Sequence, residues 1–286
     1  MWFKDYLSQH PLVQKFNRSD AATAHLSINQ EALLYIGSVF ERGGRLLIIK
    51  DNENQAQQLV SEIKALSPST RVVFYNQEES LHMESIQQSE IMKADRLLAL
   101  YHILNEDFDI CVTHAIAASR KISKPEVLRN EMISLKTGDT VDHKELIKKL
   151  HNLGYSRTKY VEKPFTYASR GGIIDIFSVQ YEEPVRLEFF DVELESIRQF
   201  NIETQRSTQT LDHIDIVFAN DILLSEESKN SIESQVREEL ERIDDEVLSH
   251  QVEEKMSLLI DDMYDGTQYP LLGFWEEAGS LLDTFS

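Results

Sequence analysis

Residues 170–190 read RGGIIDIFSVQYEEPVRLEFF, and this stretch decides how the middle of the chain folds. Two apolar runs of strand length lie close together, and a glycine pair precedes the first of them. Side chains alternate between the two faces of a strand, so a strand at 184–190 has one apolar and one mixed face. The natural core face carries Val185, Leu187 and Phe189. The opposite face carries Arg186, Glu188 and Phe190.

The mixed face has the composition of a recognition surface, because arginine and large aromatic residues are enriched at interface hot spots. Arg170 lies just before the glycine pair, so a neighbouring strand would bring it alongside Arg186. The alternative is that Phe190 packs under a covering helix and that the arginines form surface ion pairs. These residues alone favour neither interpretation.

The charge around this face favours a protein partner over a nucleic acid. Between Arg170 and Arg206 four arginines, no lysine and eight acidic residues give a local charge of -4. A protein that follows a phosphate backbone needs an excess of cations, whereas forked guanidinium groups suit a protein surface.

The first 120 residues alternate strand and helix patterns. Apolar runs at 45–50, 71–75 and 108–113 are typical of buried strands. Between them, a helix capped by Asp51 and a second helix over 84–105 are predicted. Apolar strands separated by helices indicate a parallel sheet that is covered on both faces.

The remainder of the chain reads as two further regions. After a junction near Pro125, a helix begins at Asp142 and ends at Gly154, and strand patterns follow up to residue 218. The region 219–286 opens with a long acidic helix. Its apolar stripe consists of Ile232, Val236, Leu240, Ile243 and Val247. A coiled coil is conceivable, but the stripe favours a one-sided helix packed on its own domain.

The overall composition excludes several classes of protein. Its 29 basic and 49 acidic residues give a net charge of -20, which disfavours sequence-independent DNA binding by the chain as a whole. Cys111 is the only cysteine, so no intramolecular disulfide can form, and its apolar surroundings indicate a buried inert thiol. No apolar stretch reaches the length of a membrane span, and residues 1–10 do not have the basic and then apolar pattern of a signal peptide. We therefore expect a cytoplasmic protein with no membrane partner.

The sequence lacks the signatures of common catalytic sites. No phosphate-binding loop exists, since no glycine is followed by lysine. The pairs Gly43–Gly44 and Gly171–Gly172 precede strands, so their amides cannot form an anion site at a helix start. The acidic IDDEVL at 243–248 lies within a helical pattern rather than at the end of a strand, and neither HExxH nor GxSxG occurs. We predict no catalytic residue, no cofactor and no metal in this chain.

Residues 170–207 resemble the segment shared by the excision-repair protein UvrB and the bacterial transcription-repair coupling factors. The resemblance rests on RGGIIDIF, EEPVRLEFFD, ELESIRQF and the closing ETQRS. Residues 153–169 also fit, with KPFTY where the family has Pro-Gly-Glu-Phe. UvrB has a working phosphate-binding loop and an ATP-driven motor. The missing loop therefore favours the amino-terminal UvrB-like module of the coupling factor, a fragment of a longer protein. The alternative is a fragment of a UvrB-type ATP-dependent DNA repair motor.

The resemblance implies an α/β fold, with a degenerate helicase-like (P-loop-NTPase-like) parallel-sheet domain and an inserted small α+β domain. The helicase-like domain would comprise residues 1–120 and 219–286, and the inserted domain residues 121–218. In the family the inserted domain binds UvrA, the damage-recognition ATPase. The family's recognition residues correspond here to Arg170, Arg186 and Phe190, which favours the recognition interpretation of the mixed face.

The resemblance also implies partners that act through the parent protein. Its other domains would mask the UvrA site, and RNA polymerase and DNA would be contacted by those domains. ATP and magnesium are expected only in the downstream motor of the parent.

Overall fold

The computed structural model of the chain describes residues 2–20, 24–77, 90–242, 245–260 and 269–285. These residues form a mixed α/β structure that divides into two compact units. Unit 1 contains the described residues up to Arg120, together with 280–285. Unit 2 contains the described residues from Lys121 to Gly279.

Unit 1 alternates helices and strands along the chain, as its sequence pattern predicts. Its described elements are α1 (Trp2–Ser8), α2 (Pro11–Arg18), α3 (Ile28–Arg42), β1 (Leu46–Lys50), α4 (Glu53–Leu66), β2 (Val72–Phe74), α5 (Glu90–Leu104), β3 (Ile110–His114), α6 (Ala115–Ala118) and a 3-10 helix (Leu281–Thr284). The start of the predicted helix at 84–105 lies outside the described residues, and α5 accounts for the remainder.

The strands of unit 1 form a parallel sheet in the order β1-β3-β2. One face of α4 is buried in the core of this unit, at Ala56, Leu59, Val60 and Ile63. The helix cap is Asn52 rather than the predicted Asp51, because the Asn52 side chain accepts a 3.0 Å hydrogen bond from the Gln55 amide. Cys111 is fully buried in β3, and burial raises the pKa of its thiol to about 12, so the thiolate nucleophile is not formed at neutral pH.

Unit 2 contains a six-stranded mixed sheet, a two-stranded antiparallel sheet and a helical cluster. Its described elements are α7 (Pro125–Glu131), β4 (Ile133–Lys136), α8 (His143–Asn152), β5 (Ser156–Arg157), β6 (Thr166–Arg170), β7 (Ile173–Ile176), β8 (Val185–Phe190), β9 (Glu193–Phe200), β10 (Ser207–Leu211), β11 (His213–Ile216), α9 (Glu226–Leu240), α10 (Glu246–Ile260) and a 3-10 helix (Tyr269–Phe274).

A six-stranded sheet in the order β10-β9-β8-β7-β6-β5 dominates unit 2, and β4 pairs separately with β11. All neighbours in the large sheet are antiparallel except β5 and β6. The core face of this sheet meets α8, where the rings of His143 and Phe189 lie edge to face with centroids 4.4 Å apart. The Asp142 carboxylate caps α8 by accepting hydrogen bonds from the Lys144 and Glu145 amides.

The division into units differs from the predicted domain limits of 1–120, 121–218 and 219–286, because residues 219–279 belong to unit 2. Backbone hydrogen bonds join the beginning of 219–279 to earlier segments of unit 2. The Ala219 amide donates to the Leu153 carbonyl at 2.7 Å, and the Ser123 amide donates to the Asp221 carbonyl at 2.8 Å.

The prediction of one long acidic helix is wrong, since the structure has two helices, α9 and α10. Asp245 accepts hydrogen bonds from the amides of Val247 and Leu248, both at 3.0 Å, and so starts a new helix. The predicted stripe is consequently broken. Ile232 and Val236 are buried, whereas Val247 is 70% exposed; Ile243 lies outside the described residues.

Among the described residues, no helix combines the length and apolar character needed to cross a membrane.

Candidate partner-binding face

The side chains of β8 alternate as its sequence predicts. Val185 and Leu187 are fully buried and Phe189 is 9% exposed, which confirms the assigned core face. Phe190, at the end of the same strand, is 72% exposed. The alternative interpretation had two parts. A covering helix over Phe190 is absent from the described residues, whereas ion pairs of the arginines are present. The face of β8 opposite the core carries Arg186, Glu188 and Phe190. Together with Arg170 on β6, this side of the sheet is called the candidate face.

The glycine pair shapes the β6–β7 hairpin next to this face. Gly171 adopts φ +58°, a conformation that side chains with a Cβ rarely adopt. A Cβ on Gly172 would lie 2.6 Å from the carbonyl oxygen of Phe189. The Phe189 amide donates to the Gly172 carbonyl at 2.8 Å, so β8 runs directly against this hairpin. Gly172 is therefore required by the close approach of β8, and glycine is the favoured residue at position 171.

We expect Gly172→Ala to destabilise unit 2 by about 1–3 kcal/mol, because the atom that the new methyl group meets belongs to the backbone and cannot rotate away. Gly44→Ala is the matched control, since a Cβ at that position would meet no atom within 4 Å and Gly44 also follows a glycine. Denaturant unfolding, with hydrogen exchange of peptides from β6 to β8, measures both effects. Equal stability of the two variants would contradict the close approach.

The two predicted arginines meet at a carboxylate on the strand between them. Asp175 of β7 is opposite Arg186 of β8 and only 2% exposed. Arg186 donates from Nε to Asp175 Oδ1 at 2.7 Å and from Nη2 to Oδ2 at 2.9 Å, a bidentate pair. These hydrogen bonds raise the pKa of the Arg186 guanidinium above its ordinary value. Arg186 is thus a fixed, permanently charged group whose side chain is 20% exposed.

Arg170 approaches the same carboxylate from β6. Its Nη2 lies 3.6 Å from Asp175 Oδ2, and its side chain is 50% exposed. Contrary to the prediction, Arg170 and Arg186 are therefore not on adjacent strands, because β7 lies between β6 and β8. At ordinary strand spacing the axes of β6 and β8 are about 10 Å apart. The buried carboxylate bridges that distance.

Each guanidinium group also lies against an aromatic ring. The Cζ of Arg170 is 4.7 Å from the centroid of Tyr160, and the Cζ of Arg186 is 4.5 Å from that of Phe200. Such cation–π contacts add attraction and restrict the side-chain rotamers. Tyr160 is half exposed, whereas Phe200 is fully buried.

Phe190 lies at the tip of the β8–β9 hairpin. It pairs with Glu193 across a two-residue turn in which Asp191 has φ +56°. The backbone of residues 138–141 holds this tip from outside. The Val141 amide donates to the Val192 carbonyl at 2.7 Å, and the Gly138 amide donates to the Leu194 carbonyl at 2.8 Å. The exposed ring is therefore carried on a well-anchored backbone.

A second ion pair lies between Arg186 and the tip. Arg198 Nη2 is 2.7 Å from Glu188 Oε2, which also accepts a hydrogen bond from the Ser196 hydroxyl. Arg198 is directly opposite Arg186 on the neighbouring strand. Because Oε2 of Glu188 is held by two partners on β9, we do not count Glu188 among the candidate binding residues.

Asp175, Tyr160 and Phe200 were not predicted as parts of the site. A signal for Asp175 is present, since an acid within the apolar IIDI of a strand must find a cation. Tyr160 and Phe200 carried no such signal, because their contacts depend on which loop and which strand lie beside the arginines.

Elsewhere in the described residues, no site competes clearly with this face. No group of three or more His, Cys, Asp or Glu in the described part of the chain could hold a metal ion. A cleft of about 480 Å³ lies in unit 2 beside the start of α9, and it includes none of the predicted site residues. Its charged lining has both signs: Lys124, Glu131, Glu226, Lys229 and Glu277.

Comparison with known proteins gives a family for the region that contains the face. Residues 133–221 match the family model described as the UvrB interaction domain. The chain is 30% identical over 247 residues to the transcription-repair-coupling factor of Bacillus subtilis (strain 168), covering 83% of this chain and 21% of that protein. It is 28% identical over 229 residues to that of Staphylococcus aureus (strain USA300), covering 80% and 19%.

The chain spans about a fifth of the length of these curated relatives. The family match includes every strand of the six-stranded sheet, and so all of the candidate face. The region that carries the face thus matches the UvrB interaction domain, and the chain is similar, over four fifths of its length, to transcription-repair-coupling factors.

Proposed function

We propose that this chain is a non-catalytic module of a transcription-repair coupling factor that binds UvrA. The observation that carries the proposal is the match of residues 133–221 to the UvrB interaction domain, together with the exposed Phe190 on its sheet. Binding UvrA would recruit nucleotide excision repair to RNA polymerase stalled at DNA damage, in the cytoplasm.

Arg170, Arg186 and Phe190 are the proposed contact residues. An exposed aromatic ring on an anchored backbone offers apolar area at a low cost in entropy, and ordered guanidinium groups add specificity. Arg170 lies on β6, and Arg186 and Phe190 lie on β8, with only β7 between these strands of one sheet, so a single partner surface can cover them.

Unit 1 is proposed to be a degenerate helicase-like domain. Its parallel β1-β3-β2 sheet with helical crossovers supports this, as does the absence of a glycine–lysine step from the sequence. ATP, magnesium, DNA and RNA polymerase would then be bound by other domains of the parent. The same domains would mask the UvrA-binding face until the parent engages polymerase.

Calorimetric titration of purified UvrA with the chain tests the binding proposal. We expect saturable binding with a defined stoichiometry, and binding should persist at moderate salt because the contact surface includes the apolar Phe190. Titration of duplex DNA with the chain alone should give no saturable binding, since the chain is strongly acidic. Absence of measurable binding at high micromolar UvrA would overturn the proposal.

ATP hydrolysis distinguishes the alternative, a UvrB-type motor fragment. The non-catalytic module should give no turnover above background, with or without damaged DNA. Turnover that co-purifies with the chain and rises with DNA would establish the motor instead, whatever the result of the titration.

A further inference from the structure

One buried carboxylate organises both predicted arginines. Asp175 engages each of its oxygens with Arg186, and the second oxygen also lies 3.6 Å from Arg170. The carboxylate is almost inaccessible, at 2% exposure, so it cannot itself contact a partner. Any effect of Asp175 on recognition must act through the arginines.

The arginines are consequently held in defined orientations. Arg186 is fixed by the carboxylate on one side and by the Phe200 ring on the other, with Gln205 Oε1 3.4 Å from its Nη2. Arg170 extends over Tyr160 and keeps half of its side chain accessible. An ordered guanidinium loses little side-chain entropy when it forms further hydrogen bonds.

The group around Asp175 has one cation in excess. Two guanidinium groups, those of Arg170 and Arg186, share this single carboxylate. Arg198 forms a separate pair with Glu188. One carboxylate from a partner is the charge complement of the group around Asp175.

We propose that Asp175 is a positioning residue for recognition and that the partner surface places a carboxylate beside an apolar pocket. The carboxylate would meet the accessible guanidinium edge of Arg170, and the pocket would take Phe190. This inference rests on the proposed function, since it describes how the candidate face would recognise UvrA.

Substituting asparagine for Asp175 distinguishes two effects on UvrA binding, the positioning of the arginines and the net charge of the face. Asp175→Asn keeps the side-chain shape but replaces one acceptor by an amide donor, which faces a guanidinium donor and breaks the bidentate pair. The same change raises the charge of the face by one unit. If only charge mattered, an acidic partner would bind more tightly. If Asp175 positions the arginines, the partner binds more weakly.

Glu188→Gln is the matched control, because it raises the charge of the same face equally and leaves the contacts of Asp175 intact. In titrations with purified UvrA we expect Asp175→Asn to raise the Kd roughly tenfold, and Glu188→Gln to leave it unchanged or to lower it. A Kd for Asp175→Asn equal to or below that of the wild type, with the wild type binding normally, would overturn the positioning role. Failure of the wild type to bind UvrA would instead overturn the proposed function.

A double-variant comparison keeps the inference testable if Asp175→Asn also lowers stability. In an Arg170→Ala/Arg186→Ala background, a positioning residue has lost both groups through which it acts, so adding Asp175→Asn should change the Kd by less than about twofold. A purely structural role would weaken binding further in that background. Hydrogen exchange of peptides covering β7 and β8 should confirm that each variant used is folded.

Discussion

Phe190→Ala is expected to weaken UvrA binding by about thirtyfold or more, which corresponds to ~2 kcal/mol. The ring is 72% exposed at a hairpin tip, so in the unbound chain it contributes little to the core. Bound in an apolar pocket, it would bury most of its surface, and that gain is lost on truncation. Calorimetric titration of UvrA with the two proteins measures the difference.

The free energy of unfolding should change by less than about 0.5 kcal/mol in this variant, because exposed positions contribute little to stability. Val247→Ala provides the control, since Val247 is 70% exposed on α10 of the same unit but lies outside the candidate face. Its Kd for UvrA should equal that of the wild type. Equal affinities of Phe190→Ala and the wild type would remove Phe190 from the site.

Arg186→Ala is expected to have two effects, on stability and on binding. Removing the guanidinium leaves the buried Asp175 carboxylate with only the more distant Arg170, and it removes the contact with Phe200. Because Arg186 is itself partly exposed, we expect a loss of about 2–3 kcal/mol in unfolding free energy, below the range for fully buried pairs. Denaturant unfolding monitored on unit 2 measures it.

The double variant Asp175→Ala/Arg186→Ala separates the two effects. With both members of the pair gone no buried charge is left unpaired, because Arg170 is half exposed, so the double variant should be more stable than the sum of the single losses indicates. UvrA binding should stay weak, because the guanidinium is still missing. If stability and binding are both restored, the effect of Arg186→Ala on recognition comes only from unfolding.

Much of the fold follows from local patterns in the sequence. The alternation of Val185, Leu187 and Phe189 predicted the core face of β8, and the apolar runs of unit 1 predicted its three strands. These predictions hold because hydrophobic periodicity reflects which side of an element is buried.

Other features depend on competition between local signals. Two adjacent polar residues could each cap α4, and Asn52 rather than Asp51 does so. The stripe through α9 continued past residue 240, but the capping carboxylate of Asp245 outweighs it. The periodicity of apolar residues in one sequence does not show whether a capping residue will end a helix that the apolar stripe would continue.

The candidate site was predicted only in part. Arg186 and Phe190 were placed on one face by alternation, whereas Asp175 was missed because strand order and register decide which side chains meet. The charge partner of Arg186 lies eleven residues away along the chain but directly opposite in the sheet. Such pairings come from tertiary structure, which local patterns do not specify.

The anchoring of the β8–β9 tip has a consequence for how such a module can change its partner. Main-chain groups of 138–141 hold the tip, and their hydrogen bonds do not depend on which side chain occupies position 190. Position 190 is therefore free to vary, and a different residue there would be displayed on the same backbone. Position 186 lacks that freedom, since a replacement must also neutralise Asp175. Specificity for a new partner should accordingly arise first by substitution at position 190, while the ion pair of Arg186 with Asp175 is retained.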